Sequence, residues 1–339
     1  MKAWTIVKYG KPEAAFQLLD HEKPVRKQGE VLIEVEAFGL NYADIMARNG
    51  LYREAPKPPF VPGYEVVGKV VECDEKSDLL NKRVIAFTRF GAYAEYVTTA
   101  ERGIQLIDEK MPAGEAVALA TQYVTAYHAA YEAVNLFNGD RIMVHAAAGG
   151  VGIAITQLAK LKGCEVFGTA SSDEKLNFLK QNGVDHPINY KTHDYELEIL
   201  KIIGDDRLDV AFNSIGGSTF KKDRNLVGTA GRQVLYGGAE RSGKKFGIFS
   251  TLNFVRKMGL VIPIGLMMKS KGIIGVNMLK VADYKPHIIS RCMAELLKLY
   301  NAGKIKPYVG GDFSSDELAK AHHLLESRQS IGKIVVKWR

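Results

Sequence analysis

Six consecutive residues, Ala147-Ala148-Gly149-Gly150-Val151-Gly152, have the composition needed to hold a pyrophosphate. A turn without bulky side chains lets phosphate oxygens approach backbone N–H groups, and the positive end of a following helix favours the anion. The pattern is G-x-G-x-x-G with Ala147 in the first place. Alone it is weak evidence; its flanks give it weight. The stretch from Arg141 opens as a buried strand that ends at His145, and Val151, Ile155, Leu158 and Leu161 give the next segment an apolar helical side. Glu165-Val166-Phe167-Gly168-Thr169-Ala170 reads as a second strand. Together they form a βαβ unit with its turn aimed at a dinucleotide. A plain tight turn in an α/β protein is the weaker alternative.

The elements around this turn divide the chain. At 339 residues it suits two domains. Residues 1–122 are strand-rich: segments 1–7, 31–37, 66–71 and 83–87 are separated by Gly and Pro. Residues 112–135 read as helical. After the βαβ unit, Ser171-Ser172-Asp173-Glu174 resembles a capping box. Further strands are predicted at 188–190, 208–213, 233–236 and 273–276, with a helix over 194–203. Strands alternating with helices predict a doubly wound parallel sheet over residues 123–285. Residues 286–339 return to two helices and a last strand at 333–336, which we assign with 1–122.

The composition is that of a globular protein, and no apolar run is long enough to span a bilayer. The start Met1-Lys2-Ala3-Trp4-Thr5-Ile6-Val7 reads as a strand, so no signal peptide is expected. Three cysteines, far apart, do not make a disulfide framework. These features predict a reduced, cytoplasmic enzyme. The net charge of +8 is uneven: residues 241–281 hold eight Lys/Arg and no Asp or Glu, which accounts for the whole excess. The same segment is rich in Ile, Leu, Met, Val and Phe, unlike an ordinary solvated face.

A strand-rich first domain followed by this nucleotide fold resembles the medium-chain dehydrogenase/reductase superfamily. The anchors are Gly39-Leu40-Asn41-Tyr42-Ala43-Asp44, Pro62-Gly63-Tyr64-Glu65-Val66-Val67-Gly68, and Ala147 through Gly152. The string from Asn41 to Tyr52 is similar to the quinone oxidoreductase (zeta-crystallin-like) branch. Phe167-Gly168-Thr169-Ala170-Ser171, His186-Pro187-Ile188-Asn189-Tyr190, the run from Tyr300 to Pro307 and Gly332-Lys333-Ile334-Val335 resemble synaptic vesicle membrane protein homologues. The resemblance implies a GroES-like catalytic domain (1–122 and 286–339) and a Rossmann domain (123–285).

Zinc-bearing members of that superfamily supply Cys, His and Cys. The matching positions here are Asn41, Tyr64 and Thr121, none a usual zinc ligand, and residues 84–105 contain no Cys for a structural zinc. Alcohol oxidation relies on such a metal to acidify the hydroxyl. A zinc-free site suits reduction of an electron-poor acceptor, a quinone or an α,β-unsaturated carbonyl. By resemblance Asn41 lies beside the nicotinamide, although Asn also favours turns. Asp44 matches a position that ties the loop near the cofactor; an ordinary helix N-cap explains it equally well. Tyr52 and Tyr64 are candidates to hydrogen-bond a substrate oxygen, or are half-buried aromatics. His145 reads as a packed core residue.

NAD-preferring folds place an acid at the end of the second strand. Here Ala170 and Ser171 occupy that place, and nothing repels a 2′-phosphate. Lys175 and Tyr190 match positions that bind this phosphate in resembling quinone reductases, so NADPH is the expected cofactor. Thr125 matches a position near the nicotinamide amide, Gly237 leaves backbone room there, and Lys333 matches a family Gly-Lys with a cofactor role. The resemblance further implies a homodimer paired through the 273–276 strand. The basic apolar segment reads as a cover over the substrate cleft or, as the minority alternative, a contact with an anionic membrane. A nucleotide-binding, vesicle-associated protein with little catalysis is the rival function. RNA binding comes last, because the basic region carries no recognised RNA motif.

Overall fold

A computed structural model describes residues 1–241 and 248–338. Fifteen strands are present among these residues. The first seven are β1 (Lys2–Ile6), β2 (Phe16–Asp20), β3 (Glu30–Leu40), β4 (Glu65–Glu72), β5 (Arg83–Phe87), β6 (Tyr96–Ala100) and β7 (Ile104–Leu106). Then come β8 (Arg141–Val144), β9 (Glu165–Ala170), β10 (His186–Asn189), β11 (Leu208–Asn213), β12 (Val227–Leu235) and β13 (Gly272–Gly275). The chain closes with β14 (Val309–Ser314) and β15 (Lys333–Lys337). Two compact units result: residues 1–124 with 278–339, and residues 125–277. The boundaries read from sequence lie at 122/123 and 285/286.

The first unit holds a sheet ordered β14-β15-β3-β4-β5-β7, with β6 on β3, and the separate pair β1-β2. All its pairings are antiparallel except β14 with β15. In β3, Glu34 and Glu36 face solvent while Val31, Ile33 and Val35 enter the core with Val66, Val70, Val84, Ile334 and Val336. Each fully buried aliphatic side chain contributes about 1.5–3 kcal/mol. The register of β3 against β4 shifts near Leu32 and again near Val35. Such shifts bend a strand. The run 113–133 is helical, as expected, but widens into π-type turns over Leu119–Tyr123 and His128–Ala133.

The second unit is a six-stranded, all-parallel sheet ordered β10-β9-β8-β11-β12-β13. Counted from β8, this is the order 3-2-1-4-5-6 of a doubly wound dinucleotide fold, and the order reverses between β8 and β11. Ligands of such sheets bind beyond the carboxyl ends of the strands at that reversal. Ser172 accepts from the Lys175 N–H and opens the helix Asp173–Gln181, but Lys175 stands where a capping box needs Glu or Gln, so only half the box forms. Helices Ile248–Met258 and Pro263–Met268 lie between β12 and β13. Part of the basic apolar segment, residues 242–247, lies outside the described residues.

Candidate functional site

In the parallel-sheet unit, the chain leaves β8 and turns at Ala146, whose φ is +50°. The Gly149 N–H donates to Ala146 O at 2.8 Å and closes the turn. Gly149 is extended and caps the helix Gly150–Leu161, whose first N–H groups have no partner within the helix. A Cβ on Gly152 would lie 2.6 Å from Ala146 O and 2.7 Å from Ala147 Cα. Only glycine allows the helix to start so close to the turn. Ala147, Gly149, Gly150, Val151 and Gly152 thus form one continuous cradle, whose local geometry suits a pyrophosphate.

The far side of the reversal is built by residues that sequence reasoning passed over. Asn213, at the end of β11, accepts from the Ile215 and Gly216 N–H groups at 2.8 Å each. Its amide donates to Thr219 Oγ1 at 2.9 Å and to Asp223. Asp223 is fully buried and also pairs with His145 Nε2 at 2.8 Å and Tyr195 Oη at 2.9 Å. His145 is therefore a packed residue, with a carboxylate partner. The only local signal for this network is an Asn ending a strand just before Gly216-Gly217. A Cβ on Gly237 would stand 2.6 Å from Ser214 O, so the loops after β11 and β12 meet backbone to backbone.

At the end of β9, Ala170 is buried, Ser171 follows, and Asp173 is the first residue of the next helix. Ala170 O accepts from the Tyr190 N–H at 3.1 Å, and the Tyr190 ring is exposed. Lys175 is buried; that burial pushes its ammonium pKa down, Glu174 opposes the shift, and Lys191 adds to it. Lys191 went unremarked in the sequence. Thr125 is buried at the start of this unit.

The strand-rich unit carries the second cluster. Asn41 precedes the helix Tyr42–Arg48, and its backbone N–H donates to Asp44 Oδ2 at 2.7 Å. Asp44 is thus not the N-cap but the residue three positions on that ties back to it. It is fully buried, and burial pushes its carboxyl up to about 7. The Asn41 N–H opposes that shift, Glu65 adds to it, and Lys333 and the Tyr93 hydroxyl oppose it. Asn41 Nδ2 donates to Glu65 Oε1 at 2.8 Å. Lys333 Nζ donates to Asn41 Oδ1 at 3.1 Å, to Leu40 O at 3.2 Å and to Glu65 Oε1. Lys333, expected at the cofactor, has its ammonium enclosed in this unit with three acceptors around it. Glu65 was quoted only as part of a motif; no local period links residues 41, 65 and 333.

Beside this cluster lies an aromatic wall. Tyr52 meets Tyr64 edge-on at 6.2 Å between centroids, and Tyr64 tilts against Phe90 at 5.3 Å. The Tyr64 hydroxyl is buried and has no hydrogen-bond partner in the structure. Burial, with Asp44 and Tyr52 nearby, holds its pKa well above the ordinary value. Tyr52 is pushed up to about 12, mainly by burial and then by Glu54 and Asp44. Both phenols are neutral donors at physiological pH.

A catalytic zinc does not fit here. The donors would be an amide, a phenol and the Thr121 hydroxyl. The Asn41 oxygen already takes a hydrogen bond from the Lys333 ammonium, a cation where a second cation would have to bind.

Comparison with known proteins decides the family. A family described as "Alcohol dehydrogenase GroES-like domain" matches residues 27–109, and one described as "Zinc-binding dehydrogenase" matches residues 150–294. The zebrafish (Danio rerio) synaptic vesicle membrane protein VAT-1 homolog is 35% identical over 340 residues, covering 99% of this chain and 69% of that protein. The chain belongs to the VAT-1 and quinone oxidoreductase branch of the medium-chain dehydrogenase/reductase superfamily. The crystal structure of the human VAT-1 homolog-like protein is similar with a TM-score of 0.85 at 30% identity, covering 99% of this chain and 98% of that one. The quinone oxidoreductase of Thermus thermophilus, solved also with NADPH, gives 0.79 at 28% identity, covering 99% and 100%. The branch fixes the GroES-like and Rossmann-type architecture and the oxidoreductase character of the fold.

Proposed function

We propose that the protein is a zinc-independent reductase that passes a hydride from NADPH to a quinone or an α,β-unsaturated carbonyl. The observation that carries this reading is the nucleotide crevice: an Ala147–Gly152 cradle on a 3-2-1-4-5-6 sheet, with Ala170 and Ser171 where an acid would reject a 2′-phosphate. The quinone oxidoreductase similarity supports it. NADPH supplies the hydride when bound. Ala147, Gly149, Gly150, Val151 and Gly152 hold its pyrophosphate; Ser171, Lys175 and Tyr190 meet the 2′-phosphate; Thr125 and Gly237 serve the nicotinamide end. Asn41 and Tyr64 offer hydrogen-bond donors to the oxygen that gains charge. Tyr52 and Phe90 offer flat apolar surface to the acceptor. Asp44 can keep a proton near neutral pH because its carboxyl titrates at about 7.

The test is NADPH oxidation with a panel of quinones and enones, in the presence of a strong chelator. Turnover that survives chelation supports the reading. No turnover with any acceptor, or loss restored by zinc, overturns it.

A second reading is contact with an anionic membrane, and one observation favours it. Leu252, Val255, Leu260, Ile262, Ile264, Met267 and Met268 are all more than half exposed, between 56% and 80%. Arg256, Lys257, Lys269 and Lys271 lie in the same segment, which carries no acidic residue of its own, although Lys257 pairs with Glu240 just before it. Each basic residue near an anionic surface contributes about 1 kcal/mol. No helix among the described residues is long and apolar enough to cross a membrane. Co-sedimentation with phosphatidylserine vesicles at low salt, abolished by high salt and by neutralising those four residues, supports this reading; no binding at low salt removes it.

A further inference from the structure

Three strand ends converge on Asn41. β3 ends at Leu40, β4 begins at Glu65 and β15 begins at Lys333. The three strands are neighbours in the sheet, with Leu40 opposite Ile334 and Phe38 opposite Val66. Their side chains close a fully buried ion pair between Lys333 and Glu65. Gly39 makes the space, since a Cβ there would collide with Glu65 Oε1 and the Lys333 chain.

A structural staple is the ordinary account of such a pair, and it is insufficient. Taking two ions out of water carries a desolvation penalty for each, and apolar residues of similar volume hold a core as well or better. What an apolar staple cannot do is tell the two ends of an amide apart. The ends of Asn41 have the same shape and differ only in polarity. Here the Lys333 ammonium marks the oxygen end, and Glu65 Oε1 marks the nitrogen end. One Nδ2–H is held by Glu65. An amide carries two N–H donors, so a second one remains beside the one that Glu65 takes, on a residue that is 8% exposed.

We propose that Glu65 and Lys333 are positioning residues that lock the Asn41 amide in one orientation, so that its second N–H is presented as a fixed donor. The inference rests on the reading that Asn41 faces the reacting molecules. It adds two residues that act through Asn41 and touch no substrate. It also assigns Lys333 a place in the acceptor's half of the machinery rather than the cofactor's. A donor already oriented needs no rearrangement as charge develops on the acceptor oxygen.

The test is the double variant Glu65→Gln with Lys333→Met. It removes both charges together and leaves no buried ion unpaired. The introduced glutamine side chain can pair with the Asn41 amide in either orientation, so contact is kept and polarity is lost. The expected result is a melting temperature near that of the unmutated protein, an NADPH Kd within twofold, and kcat lowered about tenfold or more. The single variant Lys333→Arg, which keeps the cation, retains most of kcat. A readout independent of turnover is the Asn41 side-chain NH2 signal in protein labelled with 15N-asparagine, assigned by its loss in Asn41→Ala. One well-dispersed, slowly exchanging pair is expected before mutation, and a doubled or collapsed pair in the double variant. A folded double variant with an unmoved NH2 pair and unchanged kcat overturns the proposal. If the unmutated protein reduces no quinone or enone, the functional reading fails, and the NMR arm alone still decides the positioning role.

Discussion

Tyr64 and Glu65 are adjacent in sequence and enter opposite surroundings. Glu65 turns one oxygen, Oε1, to the Lys333 ammonium and the Asn41 amide, while its Oε2 is buried without a partner. The Tyr64 hydroxyl, one residue earlier, is buried against Tyr52 and Phe90 with no partner in the structure. An unsatisfied buried hydroxyl costs about 1–3 kcal/mol, so retaining one points to a group that binds there. Tyr64→Phe is therefore expected to leave the melting temperature unchanged or raise it, while kcat/KM for the acceptor falls about tenfold or more. Tyr52→Phe should raise KM less than threefold. A Tyr64→Phe enzyme as active as its parent would remove Tyr64 from the site.

The Asp44 carboxyl makes stability depend on pH in a stated direction. Its pKa rises from 3.8 in the unfolded chain to about 7 in the fold. A carboxyl raised in this way contributes stability that is full below about pH 4 and is lost as pH climbs through about 7. Asp44→Asn keeps the acceptor for the Asn41 N–H and cannot ionise. Thermal melts should show the variant several degrees more stable than the parent at about pH 8, with the gap closing towards about pH 4. Parallel melting curves across that window would contradict the assignment.

Cofactor choice follows from the end of β9. With no acid at Ala170 or Ser171, and with Lys175 nearby, NADPH should bind more tightly than NADH. A charge-assisted contact is worth about 1.5–3 kcal/mol, roughly tenfold or more in affinity. Lys175→Ala should lose that factor for NADPH in a fluorescence titration and leave NADH unchanged. Equal affinities in the unmutated protein would sink the proposal.

The outer edge of β13 has no strand beside it among the described residues. An apolar edge of Ile273 and Ile274 invites pairing, and a closed two-fold pairing is the common solution. We expect a homodimer by light scattering at micromolar concentration. A monomer there would refute it.

Local patterns carried most of the architecture. β5, β8, β9 and β11 fall where apolar runs bounded by Gly or polar residues placed them. β12 begins six residues earlier than its apolar core, at Val227, because Gly228 and Gly231 hide the strand. The cradle was legible for the same local reason: its glycines are close together in one short run. The Asn41 cluster was legible only in part. Asn41 and Asp44 stand three residues apart on a helix start, whereas Glu65 and Lys333 reach them through strand pairing. Lys333 was therefore placed with the cofactor by motif, and its actual neighbours came only from the sheet. The His145–Asp223–Asn213 network was hidden likewise, since its members belong to different elements.

The order in which these parts leave the ribosome differs from their order in space. Lys333 comes 268 residues after its partner Glu65 and belongs to the last strand of the sheet. Residues 125–277, by contrast, form an uninterrupted unit. During synthesis the parallel sheet can complete itself while β3 still lacks β15 and Glu65 faces an apolar interior without a cation. The strand-rich unit is thus held open, with a bare strand edge and an uncompensated carboxylate, until β15 arrives. Domains fold as units as they emerge, and unpaired edges are where misassembly starts. In this chain the nascent protein's dependence on chaperones should be concentrated in that interval.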